Sequence, residues 1–175
     1  VWGDLGSTRP PANHQGHLAR PGREVCLTRS VRVDAPAPVV FGWLGQLRAA
    51  PYSYDLIDNY GQRSPDTMTR TDEIRVGQTF ARIFTLTSFE ADRQITLELT
   101  DPGGLRLFGP LTLVYRAIPE GDGTVTVLRC DLLLPRPTTG VESLRLTLLA
   151  WGDLVMMRRQ LLNFRRLSER TAAAS

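Results

Sequence analysis

No lysine occurs in the 175 residues, so all 21 basic side chains are arginine. That usage fits the codon bias of a GC-rich genome. Histidine is almost as scarce: His14 and His17 are the only two, and both fall in the first stretch of the chain. Beyond that stretch a Ser-His-Asp triad or a Cys-His pair is therefore excluded. An i, i+3 histidine pair could bind a metal, but no cysteine or second carboxylate cluster stands near it in sequence, and no metal site is expected. No Walker A loop occurs, and no G-x-G-x-x-G follows a strand, so no nucleotide cofactor is expected. No apolar run approaches the length of a membrane span. The first residues also lack the apolar core of a secretory signal. The net charge of +3 is too small to argue for nucleic acid.

What is present is ordinary for a globular domain: 42% hydrophobic and 22% charged residues, in a length that suits one core. Residues 1–23, with Gly3, Gly6, Pro10, Pro11, Gly16, Pro21 and Gly22, read as an N-terminal arm without apolar periodicity. Residues 24–170 read as a single domain and 171–175 as a tail. Val25, Leu27, Val31 and Val33 alternate with Cys26, Thr28, Ser30 and Arg32, the pattern of a half-buried strand. On that phase Cys26 points outward. Cys130, on the last strand, points inward, so no disulfide is expected, and reduced thiols imply a cytoplasmic location. Pro36 and Pro38 then open a short helix carrying Val40, Phe41, Leu44 and Leu47, with Trp43 on its flank. Ser53 caps a second short helix ending near Gly61. The intervening stretch is the densest cluster of polar aromatics and carboxylates in the chain: Tyr52, Tyr54, Asp55, Asp58 and Tyr60.

From Glu73 the pattern turns to β. Ile74 and Val76 precede Gly77; Thr79–Phe89 reads as one strand and Gln94–Thr100 as another. Asp101-Pro102-Gly103-Gly104 reads as a turn. Leu111–Ile118 and Thr124–Leu134 are strands joined by a hairpin at Glu120-Gly121-Asp122-Gly123. A T-x-x-E capping box, Thr139 to Glu142, opens a long helix to Arg170. Its apolar stripes are Leu144, Leu148, Trp151 and Val155, and Leu154, Met157, Leu161 and Phe164. Arg158, Arg159, Arg165 and Arg166 lie toward its C-terminus, where cations suit the macrodipole. The fold class is therefore α+β: an antiparallel sheet, solvated on one face, buries the other against this helix.

The strand running into Val33-Asp34-Ala35-Pro36, followed by Val39-Val40-Phe41 and Trp43-Leu44, resembles the opening of START-like, or SRPBCC, domains. The hairpin-rich middle and the terminal helix resemble them too, over about residues 24–170. The resemblance implies a helix-grip fold, a curved sheet wrapped around the C-terminal helix with two short helices after the first strand. It also implies an internal cavity for an apolar or amphipathic small molecule. Some members of the superfamily cyclise or dehydrate polyketides, and others bind, carry or sense.

Two functions follow as expectations. One is a polyketide cyclase or dehydratase, without cofactor, acting on an apolar, oxygenated molecule. The other is a non-catalytic carrier of a lipid-like or polyketide-like ligand. Enolisation of a poly-carbonyl chain calls for a carboxylate to move the proton and a cation or phenol to hold the enolate oxygen. Asp55, Tyr54 and Arg82 are the candidates, with Arg82 sharing the phase of Phe80, Phe84 and Leu86 and so facing the concave side. An arginine there meets either a protein carboxylate or a ligand. Tyr52, Trp43, Phe84, Tyr115, Leu128 and Trp151 are the candidate ligand contacts. The tyrosines and aspartates of the 52–60 stretch equally suit ordinary turn-capping and packing, and the tryptophans equally suit the core. Tyr115 and Arg116 are strand neighbours, so only one of them faces inward.

Overall fold

The computed structural model describes residues 24–52, 65–69 and 72–174, and of residues 141–155 the helical backbone alone. Its elements are β1 (Glu24–Val33), α1 (Ala37–Gly45), β2 (Thr79–Phe80), β3 (Phe84–Glu90), β4 (Gln94–Leu99), α2 (Pro102–Phe108), β5 (Thr112–Glu120), β6 (Val125–Pro135) and α3 (Gly140–Ala173). The six described strands form one antiparallel sheet in the order β1-β6-β5-β4-β3-β2. The first strand therefore crosses over to pair with the last, along Val25↔Leu134, Leu27↔Leu132 and Val31↔Leu128. β5 and β6 close through the expected hairpin, where Gly121 and Gly123 take positive φ.

Register puts Ile95, Leu97, Leu113, Tyr115, Ala117, Leu128, Cys130 and Leu132 on one face, all buried. That face receives α3 through Met157, Leu161, Phe164 and Leu167. α1 fills the space between α3 and the β5–β6 part of the sheet, burying Val40, Phe41, Trp43 and Leu44. Its entry is set by Pro36, which is extended and whose carbonyl accepts the first helical N–H groups, from Val39 and Val40. The Glu169 carboxylate near the end of α3 accepts from the Asp34 N–H, and the Trp43 indole donates to Thr171, 3.0 Å away. The C-terminal half of the long helix is thus tied to the β1–α1 corner. Trp43 belongs wholly to this core rather than to the helix flank.

Several expectations are corrected here. No strand forms at Ile74 or Val76; Val76 and Gly77 make a turn. The Thr79–Phe89 strand is broken at residues 81–83. Ala81 and Arg82 turn with φ of 44° and 68°, conformations that L-residues adopt only under outside constraint. The constraint is tertiary: the Ala81 N–H donates to the Leu47 carbonyl at 2.7 Å, and the Ile83 carbonyl accepts from both Thr100 and Asp101. The Asp101–Gly104 turn is instead the start of α2. The Asp101 carboxylate caps it, accepting from the Gly104 N–H at 2.7 Å, and Pro102 takes its first turn. Gly104 is buried against Leu99, whose methyl would stand 2.8 Å from a Cβ there. The long helix runs through Ala173, so most of the expected tail is helical. The expected second short helix lies outside the described residues.

Both cysteines are free, Cys26 exposed and Cys130 buried, as the strand phases require. No helix among the described residues is long and apolar enough to cross a membrane.

Candidate binding site on the inner face of the sheet

Cross-strand pairing along β5 settles the choice between its neighbours Tyr115 and Arg116. Tyr115 shares the inward phase of Leu113 and Ala117, lies opposite Ile95 and Cys130, and is buried. Arg116 points to the other face. The inner face around it is otherwise built of Leu, Ile, Ala and Cys130, so the phenol is conspicuous. Its hydroxyl donates to Gln160 Oε1 on α3 at 2.6 Å, with Met157 Sδ 3.7 Å away. Gln160 Nε2 donates in turn to the carbonyl of Pro51. One helical turn on, Asn163 Nδ2 donates to the carbonyl of Tyr52 at 2.9 Å. Two amides on one face of α3 therefore hold the carbonyls of consecutive residues.

That clamp explains the backbone at Tyr52, which has φ of 56°. Left-handed geometry costs a non-glycine residue about 1–2 kcal/mol, and it persists here because both carbonyls and the ring are fixed. The Tyr52 ring packs edge-on to Trp43, with centroids 6.2 Å apart, and tilted on Phe164 at 5.4 Å. Tyr52, Trp43, Tyr115 and Leu128 are thus brought together within one buried cluster. Phe84 is half-buried on the same sheet, paired with Phe80 and Leu99. Trp151 lies on α3 in the part whose side chains are not described, and Tyr54 and Asp55 lie outside the described residues.

Arg82 is not part of the cluster. It is exposed at the β2–β3 turn, because the break at Ala81–Arg82 takes it out of the strand phase that would have aimed it inward. The residues that sequence reasoning missed are Gln160 and Asn163. Gln160 carried a readable signal: it stands between Met157, Leu161 and Phe164 on an apolar stripe, where a polar side chain needs a buried partner.

The opposite face of the sheet carries charge. Asp131, only 4% exposed, accepts from Thr28 at 2.6 Å and from Arg129 at 2.8 Å, and pairs with Arg116. Arg116 also donates to Gln94 at 3.0 Å, so this cluster staples β1, β6, β5 and β4. The clear pKa departures among the described residues lie away from the inner face. Burial pushes the Cys26 thiol above its ordinary value, and the hydroxyl and N–H of Thr124 hold Asp122 below the usual carboxylate range. Among the described residues no three of His, Cys, Asp and Glu cluster as metal ligands would.

No protein-family model and no curated protein matches the sequence. Solved structures do. A Mesorhizobium loti protein aligns with a TM-score of 0.51 at 11% identity, over 84% of this chain and 98% of its own. A Staphylococcus aureus protein of unknown function gives 0.51 at 9%, over 86% and 98%. Zhui aromatase/cyclase from a Streptomyces species gives a looser 0.48 at 18%, over 87% and 98%. At such identities the likenesses speak to fold alone. Sheet order, the gripped terminal helix and the short helix after the first strand together give this chain the helix-grip fold that the opening residues led one to expect.

Proposed function

We propose that this protein encloses an apolar, oxygenated small molecule between the inner face of its sheet and α3. The observation that carries the reading is the buried Tyr115–Gln160 pair, set in an apolar wall of Leu, Ile, Ala and Cys side chains. Binding sites for such molecules combine apolar lining with a few placed polar groups. Here the apolar lining gives affinity and the polar pair orients the ligand's oxygen. Titration with N-phenylnaphthylamine tests the reading by fluorescence: the folded protein binds one equivalent. Leu128, fully buried and diagonal to Tyr115 on the neighbouring strand, is the place to fill the space. Leu128→Trp abolishes binding while the protein still melts cooperatively. Binding that survives this change, or that appears only as the protein unfolds, removes the reading.

A catalytic extension of the polyketide cyclase or dehydratase kind is favoured by the clamp on Pro51 and Tyr52. It fixes, beside Tyr115, the root of the sequence that continues into Tyr54 and Asp55. In this reading Asp55 moves a proton at a carbon next to a ligand carbonyl, and Tyr54 shares the site. Hydrogen–deuterium exchange at that carbon of a bound aryl diketone, followed by NMR, is the assay. Asp55→Asn slows it by about 10²-fold or more and leaves affinity unchanged. A rate unaffected by the substitution rules out Asp55 and keeps the binding reading.

A further inference from the structure

Tyr52 follows a stretch of chain that is firmly fastened. The Trp43 indole bonds Thr171, and the Arg48 side chain, 3% exposed, donates to the Gly45 carbonyl and to Asp72 at 2.9 Å each. Ala49 and Ala50 then turn back on the Gln46 carbonyl, and neither belongs to the sheet. Pro51 and Tyr52 are held from α3 by two neutral amide donors, Gln160 Nε2 and Asn163 Nδ2. The Tyr52 backbone, at φ 56°, works against those bonds. The strain of a left-handed residue is of the same order as the net return of two neutral hydrogen bonds. Asn163 is half-buried, so water replaces its bond as it breaks. The Tyr52 ring, 1% exposed, lies against Trp43 and Phe164, with centroids 6.2 and 5.4 Å away. Phe164 and Gln160 belong to the side of α3 that meets the sheet. Withdrawing Pro51 and Tyr52 therefore opens the seam between α3 and the sheet while the chain before Ala49 stays anchored.

We infer that, resting on the enclosed-molecule reading above, the ligand enters and leaves where Pro51 and Tyr52 close against α3. The segment swings about Ala49 and Ala50, and Tyr52 relaxes out of the left-handed region. Asn163 sets how often this happens: it makes no contact with the ligand and acts through the Tyr52 carbonyl. The closed protein holds the ligand, so an open state that stays rare changes the rates and not the affinity. Weakening the clamp speeds entry and exit by the same factor.

Stopped-flow fluorescence with N-phenylnaphthylamine makes the test. In the parent the uptake rate levels off as probe concentration rises, because opening limits it. Its urea dependence is a small part of that of global unfolding, since little surface is exposed. Asn163→Leu speeds uptake and release by about tenfold each, the scale of one hydrogen bond, and leaves Kd unchanged. Asn163→Asp keeps the size of the side chain and guards against a variant that fails to fold. Its carboxylate cannot donate to the Tyr52 carbonyl, so uptake is fast at neutral pH. Acidification to about pH 4, the carboxyl range, returns a proton to donate and slows uptake toward the parent rate. Rates in the folded variants within twofold of the parent at neutral pH overturn this entry point and leave enclosure standing. So does a parent uptake whose urea dependence equals that of global unfolding. Failure of the folded parent to take up the probe overturns enclosure, and the entry point with it.

Discussion

Replacing Asp131 by alanine removes the acceptor that Thr28, Arg116 and Arg129 share on the outer face of the sheet. The side chain of Asp131 is 5% exposed and those of Arg116 and Arg129 are 15% and 28%, so solvent replaces little of what is lost. Two guanidiniums then face each other across β5 and β6 without their common counter-charge. Breaking a buried ion pair from one side costs about 3–5 kcal/mol. The partial exposure of Arg129 puts the expectation at the lower end, about 3 kcal/mol. For a chain of this size each kcal/mol lowers Tm by about 2–4 °C, which makes a fall of roughly 6–12 °C. Urea unfolding followed by circular dichroism is the assay. The midpoint falls while the slope stays constant, since the surface exposed on unfolding is unchanged. Replacing the aspartate by leucine together with both arginines by apolar residues recovers most of the loss, because the cost lies in the unpaired charges. An alanine variant within about 0.5 kcal/mol of the parent, the range of an ordinary surface change, refutes the staple.

Ala81→Gly stabilises the protein by about 1 kcal/mol, against the usual sign for glycine, because it relieves a left-handed residue at φ 44°; an equal loss of stability in thermal melts argues against the turn. In the native protein iodoacetamide labels Cys26 and spares Cys130. The raised pKa of Cys26 makes its labelling rate climb at higher pH than that of a small free thiol, which mass spectrometry follows. The linked effect on stability has a definite sign. A thiol whose folded pKa is raised gives stability that is whole below the unfolded pKa and is lost as pH rises through the folded one.

The strands that the sequence displays best are those whose alternation is enforced by burial on one face, β1, β4 and β6. The last helix is equally legible, because its apolar stripe repeats over many turns. Between Thr79 and Phe89 local signals failed. The composition is uniformly β, and the turn at Ala81–Arg82 is imposed by the Leu47 carbonyl and by Thr100, which no window of sequence contains. Arg82 was aimed inward on the strength of that unbroken phase, and its exposure follows from the break. At Asp101 two glycines masked a helix start that the Asp cap and following proline do encode. Tyr115 and Arg116 were undecidable because both phases of β5 carry apolar residues, Leu113 and Ala117 against Val114 and Ile118. Pairing with Ile95 decides it. Gln160 was overlooked as one polar letter in an apolar stripe, yet it is the side chain that joins sheet, helix and the Pro51 backbone.

In the proposed reading an apolar, oxygenated molecule lies between the inner face of the sheet and α3. A crystal structure of the protein with fluorenol tests it most directly. The expected result is the fluorene ring on the inner face between Leu128 and Met157, next to the Tyr115–Gln160 pair. Fluorenol on the outer face of the sheet, or on the exposed leucines of α2 with the interior unchanged, contradicts it.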